Sequence, residues 1–326
     1  MDATRLRDLI ESSDLDGLVR FVDGLVTTAD WDGLVAVRDG CLEAVKRGKQ
    51  LWGAAQFAEY RMALDAPAPL AGSVVRSGAG RFSVGPLWEV AASTHTWDEL
   101  AAHLEDPATR AYAAHERVIR GDHLEGAEID VQVVDLPLTL APWEPRYPVA
   151  VYRPDGADFP EHELPDLEWL DLAGPALGGW SDEPLDALLE LVKPWVNESS
   201  GRAEGRAVEG TAHQAIRALG PHRVRAVDVT LADAVAIMAW AGASGGAYGR
   251  RRGSPVGRSG AWWALATLVG MEDEWPPDAA ALGAEAAGLR FVAWDPGDRV
   301  GGWNLHLAVE DPGDGLAWAV TATDWH

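Results

Sequence analysis

Leu289-Arg-Phe-Val-Ala-Trp294, Trp303-Asn-Leu-His-Leu-Ala-Val309 and Leu316-Ala-Trp-Ala-Val-Thr-Ala-Thr323 close the chain, the last two joined by Asp311-Pro-Gly-Asp-Gly315. Each run is short and rich in β-branched or aromatic residues, and the Pro-Gly-Asp-Gly junction carries the chemistry of a hairpin turn. Three successive antiparallel strands form a meander, and a meander needs a layer of helices on one face to be stable. Leu305 and Leu307 share one face of the middle strand, so His306 points to solvent or a cleft.

Working backward from these strands, the pattern changes to a helical period. Helices are expected at about 185–192, 202–219, 231–241 and 261–269, with a shorter one after Pro276-Pro277. Glu128 marks an earlier change of period: Ile129, Val131 and Val133 alternate with polar residues, Leu136–Leu140 continues them past Pro137, and Val149–Tyr152 reads as a further strand. Between Pro154 and Trp180 the chain is rich in Pro, Gly, Asp and Glu without a period, the signature of a long surface loop.

The first third is helical. Asp14-Leu-Asp-Gly-Leu-Val recurs as Asp30-Trp-Asp-Gly-Leu-Val, each copy opening on an Asp that can cap a helix and continuing with apolar residues at helical spacing. A third helix spans about 50–64 and is broken by Ala66-Pro-Ala-Pro. Thr96-Trp-Asp-Glu99 has the form of a capping box, and Asp106-Pro107 opens a helix that stops at Gly121. Paired short helices of this kind resemble HEAT-like hairpins. The expected fold is therefore α+β: a helical bundle or short helical-hairpin array over 1–125, then an α+β region over 126–326 that ends in the meander and holds an Arg/Gly-rich loop at 244–259.

Composition narrows the partners. The 326-residue chain carries a formal charge of −24, which opposes general binding to nucleic acid or to an anionic membrane surface. Residues 85–195 hold twenty-three acids against six bases, whereas 199–260 hold nine arginines against four acids. The N-terminus lacks the basic and apolar runs of a secretory signal and no apolar stretch is long enough to span a membrane, so the expected compartment is the cytoplasm. The single cysteine, Cys41, sits in an apolar helical pattern and reads as a buried structural thiol.

Within the basic island, Ser244-Gly-Gly-Ala-Tyr-Gly-Arg-Arg-Arg-Gly-Ser-Pro-Val-Gly-Arg-Ser259 lies between two apolar helices. Glycines let backbone N–H groups converge on an anion, arginines supply forked donors, and a following helix N-terminus adds partial positive charge. Tyr248, Arg250, Arg251, Arg252 and Arg258 are the ligand-binding candidates there. The same residues also fit a solvated loop whose arginines pair with the acids of 85–195. On the preceding helix Glu209 and His213, four residues apart, share a face and form a candidate acid–base pair, although a histidine often meets such an acid on an ordinary helix surface. No spacing among His95, His103, His115 and His123 matches a metal site, and no motif names a cofactor. Sixteen tryptophans read mainly as packing, Trp52, Trp240, Trp262 and Trp263 falling in apolar helical runs.

The segments at 245–253, Ala261-Trp-Trp-Ala-Leu265 and Gly315-Leu-Ala-Trp-Ala-Val-Thr-Ala-Thr-Asp324 resemble an uncharacterised protein family of high-GC Gram-positive bacteria. The resemblance spans most of the chain, implies no activity and transfers no site residue. Two functions stay open: binding of a phosphorylated or carboxylated small molecule at the Arg/Gly loop, extending to an enzyme that acts on that group, and a non-catalytic interaction or regulatory protein whose acidic middle region recognises a basic protein partner.

Overall fold

The computed structural model describes residues 2–80, 83–129, 133–297 and 302–325, and divides them into two compact units. The first unit comprises Met1–Val133 and Ala150–Asp158, the second Val134–Val149 and Phe159–His326.

In the first unit Asp2, Asp14 and Asp30 each accept backbone N–H groups at the start of a helix: α1 Ala3–Ser12, α2 Leu15–Thr27 and α3 Trp31–Lys46. α4 Trp52–Asp65 follows, then α5 Ala68–Val74, α6 Leu87–Thr94, α7 Trp97–Leu100 and α8 Pro107–Ile119. Thr96 and Glu99 complete the expected capping box, and Asp106 caps α8 ahead of Pro107. Leu18, Val22, Leu34, Val37 and Cys41 are fully buried between α2 and α3, and burial pushes the Cys41 thiol up to about 11. A short hairpin, β1 Val151–Arg153 and β2 Gly156–Asp158, completes the unit, with the Tyr152 hydroxyl donating to the buried Glu89 at 2.7 Å. Gly85 is required beside it, because a Cβ there would fall 2.1 Å from that hydroxyl oxygen.

The second unit is a six-stranded antiparallel sheet in the order β3-β5-β6-β7-β8-β4. Its strands are β3 Glu168–Asp171, β4 Arg202–Glu209, β5 Arg223–Val229, β6 Arg290–Asp295, β7 Trp303–Asp311 and β8 Leu316–Asp324. The closing meander forms its centre, β6 to β8. One face packs Val208, Val292, Trp294, Ala308, Ala317 and Ala319 against α11 Ala212–Ala218. The opposite face carries Leu305, Leu307, Val309 and Val320 beneath α9 Glu183–Glu190 and α12 Leu231–Ala243. α10 Lys193–Asn197, α13 Ser254–Leu268 and α14 Ala279–Ala286 complete the unit. The fold is α+β.

Several expectations need correction. The helix expected over 202–219 is β4, a turn and α11: alternate small residues let Gly205 pass Leu185 of α9, where a Cβ would come within 2.5 Å of its side chain, and pairing with β8 outweighs the helix propensity of Arg, Ala and Glu. Leu136–Leu140 is not a strand, and the carbonyls of Pro137 and Thr139 accept from Arg258 instead. The long loop over 154–180 contains β2 and β3. Trp52 is 48% exposed rather than core. Of the alternating stretch 129–133, residues 130–132 lie outside the described residues, and Ile129 and Val133 are not in a strand.

Candidate functional site

The Arg/Gly stretch divides in two. Residues 244–253 link α12 to α13, and α13 begins at Ser254, seven residues before the expected start, so Arg258 is helical. The two helices meet backbone to backbone: a Cβ at Gly257 would fall 2.0 Å from the Ala239 carbonyl oxygen. In the loop a Cβ at Gly249 would fall 2.0 Å from the Gly245 carbonyl oxygen, so both glycines serve a tight chain crossing.

Three backbone donors of the loop that could have met an external anion are engaged internally. Gly246 N–H donates to Ser244 Oγ at 3.0 Å, Ala247 N–H to Asp324 Oδ2 at 2.6 Å and Tyr248 N–H to Ser199 Oγ at 2.9 Å. Asp324 is fully buried and also accepts from Ser200 Oγ at 3.1 Å. The loop thus cradles a carboxylate of the chain's own last strand.

The candidate arginines separate accordingly. Arg258 is fully buried and committed to Glu144, Pro137 and Thr139, which removes it from any solvent-facing site. Arg251 lies 4.4 Å over the Phe159 ring and donates to Ser254 Oγ, beside a cavity of about 20 Å³ lined by Tyr147, Trp240 and Ser254, room for about one water. Arg250 and Arg252 are exposed, as is Tyr248 at 63%.

Glu209 and His213 do not share a helix. Glu209 is exposed at the end of β4, and His213 is half-buried in the first turn of α11, beyond the Gly210 turn and the Thr211 cap. The charges that act on His213 are Arg290, Asp228 and Glu310. Arg290 pairs with Asp228 at 2.7 Å and with Glu310 at 3.2 Å, and Glu310 also accepts the Ala212 N–H at 2.9 Å. Burial, helped by Arg290, lowers the imidazole below its ordinary value. Among the described residues no group of three metal-ligating side chains occurs.

A different site lies in the first unit. Val19 and Asp23, one turn apart on α2, face Gly53, Gln56, Phe57 and Tyr60 of α4 across a groove of about 430 Å³. Ser83, Val84, the β1–β2 turn residues Pro154 and Asp155, and Gly156 at the start of β2 complete the walls. Behind the groove Arg61, whose side chain is 6% exposed, pairs with Asp23 and with Asp65 at 2.6 Å and lies 5.8 Å from the Phe57 ring centre. Tyr60 donates its hydroxyl to the Arg153 carbonyl at 2.6 Å, and burial together with the Asp65 carboxylate pushes its pKa up to about 12. Sequence reasoning passed over this groove. Its only local sign is Gly53 in the first turn of a helix, where glycine costs stability and a Cβ would meet nothing within 4 Å.

Among the described residues no helix is long and apolar enough to cross a membrane. No curated protein and no solved structure matches the chain. The model of a family of unknown function, DUF6183, matches residues 16–326, and the chain belongs to that family.

Proposed function

We propose that the protein is a binding protein whose first unit takes a ligand with an apolar body in the groove between α2 and α4. The groove itself supports this reading: at about 430 Å³ it has the volume of a ligand site, and Val19, Phe57, Val84 and Pro154 give it an apolar lining with Asp23, Gln56, Ser83 and Asp155 placed to orient an occupant.

Gly53 supplies the test, because its missing side chain opens onto free space. Gly53→Trp fills the groove, while Gly53→Ala leaves it open. The neutral fluorophore N-phenyl-1-naphthylamine is expected to brighten on wild type and on Gly53→Ala, and to lose most of that signal on Gly53→Trp. Equal brightening on all three removes the groove from the account.

A second reading keeps an anionic small molecule at Tyr248, Arg250 and Arg252. Their exposure on the α12–α13 loop supports it, with recognition chiefly by side chains since the N–H groups of Gly246, Ala247 and Tyr248 are engaged. Inorganic phosphate tests this reading: it is expected to raise the melting temperature of wild type and not that of the Arg250→Ala/Arg252→Ala variant, and equal responses of the two remove the loop as a site.

A further inference from the structure

We infer that the occupant of the groove is a basic, amphipathic segment of a partner protein, seated with its apolar side chains on Val19, Phe57 and Val84 and a guanidinium or ammonium group against Asp23 and Asp155. The inference rests on the groove reading above and adds the identity of the ligand.

Charge is the first support. Asp23 comes from α2 and Asp155 from the β1–β2 turn, so two different elements bring carboxylates to one groove. The Asp23 side chain is 48% exposed although it is paired to Arg61 on its inner side. Arg61 is sunk beneath the groove and is already matched by a second carboxylate, Asp65, so its charge faces inward while Asp155 and the outer edge of Asp23 face the occupant. The Asp155 field reaches the groove wall, where it adds to the rise of the Tyr60 pKa. Counting the two nearby guanidiniums, Arg61 and Arg153, the carboxylates Asp23, Asp65, Asp155 and Asp158 still leave the groove negative, which disfavours an anionic occupant.

Extent is the second support. Apolar surface continues past the groove: Leu15 lies one turn before Val19 on α2, Trp52 adjoins Gly53 on α4, and both side chains are exposed. A small molecule that filled the groove would leave these uncovered. A chain segment covers them together, with anchors spaced along its own length. The excess of acids over the whole chain adds long-range attraction for a basic partner.

Three labelled short peptides of equal length and equal leucine content test the inference by fluorescence anisotropy, their polar positions filled with arginine, glutamine or glutamate. The arginine peptide is expected to bind the full chain best, to weaken as salt is raised, and to lose about tenfold in affinity on Asp155→Asn, the scale of one close charge contact removed. Asp155 is exposed in a turn, so that variant keeps the fold; the double variant Asp23→Asn/Asp155→Asn is expected to lose more. Failure of the arginine peptide to bind, equal binding of the glutamate peptide, or no effect of Asp155→Asn overturns the inference. Gly53→Trp distinguishes the two levels: if it abolishes peptide and fluorophore binding while Asp155→Asn changes nothing, the groove stands and the basic partner falls. If Gly53→Trp changes neither, both fall.

Discussion

Arg258→Ala lowers the unfolding free energy of the second unit by about 3–5 kcal/mol, the cost of leaving a buried charge without its partner. The guanidinium is fully buried and grips Glu144 with two bonds, Nε to Oε2 at 2.7 Å and Nη2 to Oε1 at 2.8 Å. Its remaining donors reach the Pro137 and Thr139 carbonyls at 3.0 and 2.8 Å, and its plane lies 5.6 Å from the Trp262 ring centre. Glu144 is equally buried and accepts in addition from the Tyr147 hydroxyl at 2.6 Å and the Ala141 N–H at 2.8 Å. Burial alone would raise the Glu144 pKa, but the pairing outweighs it and holds the carboxyl below its ordinary value. Alanine at 258 therefore strands a carboxylate and two carbonyls inside the unit, and unpins residues 137–144, which have no strand or helix to hold them. Urea unfolding followed by tryptophan emission measures the loss. The double variant Arg258→Met/Glu144→Gln, which removes both charges, is expected to recover a large part of it. A loss below about 1 kcal/mol for the single variant would show that the pair contributes no more than a surface ion pair.

Acidification from neutral pH to pH 4 costs up to about 3 kcal/mol at one histidine. His306 stands on β7 with Nδ1 at 2.9 Å from Thr321 Oγ1 of β8 and its ring centre 4.9 Å from that of Trp294 on β6. Burial lowers its pKa to about 4, with Asp295 opposing. The unfolded chain takes up this proton near pH 6.5 and the folded chain only near pH 4, so between those values the unfolded state binds more protons. Stability then falls as pH drops through the window and levels off below it as far as this residue is concerned. Carboxyl groups held low, Asp122 and Glu144 among them, add their own loss as pH falls further, so the comparison has to be made with a variant. His306→Gln removes the slope between pH 6.5 and pH 4 that belongs to this residue, apart from the smaller contribution of His213 in the same direction. Wild type and variant with parallel stability profiles across that window would place the His306 ring in solvent.

The central strands were readable from local chemistry because β6, β7 and β8 are short apolar runs with aromatic and β-branched residues, the last two joined by the Asp-Pro-Gly-Asp-Gly turn. The helix caps at Asp14, Asp30, Thr96 and Asp106 were readable for the same reason, since each is a contact within three residues. β4 was not readable: Arg202–Glu209 is built from helix-forming residues, and what makes it a strand is β8, more than a hundred residues away. The internal partners of the Arg/Gly stretch were not readable for a related reason. Glycines and arginines at 244–258 do converge on anions, but the anions are Asp324 and Glu144, and only tertiary structure brings them there. The groove draws its walls from 19–23, 53–60, 83–84 and 154–156, four segments that no periodicity links.

Amide chemical-shift mapping of the arginine peptide on the isotope-labelled chain tests the groove most directly. Shifts are expected to concentrate at Val19, Asp23, Gln56, Phe57, Val84 and Asp155, with Tyr248, Arg250 and Arg252 unmoved. Shifts centred on the α12–α13 loop, or on neither place, with the groove amides unchanged, would contradict it.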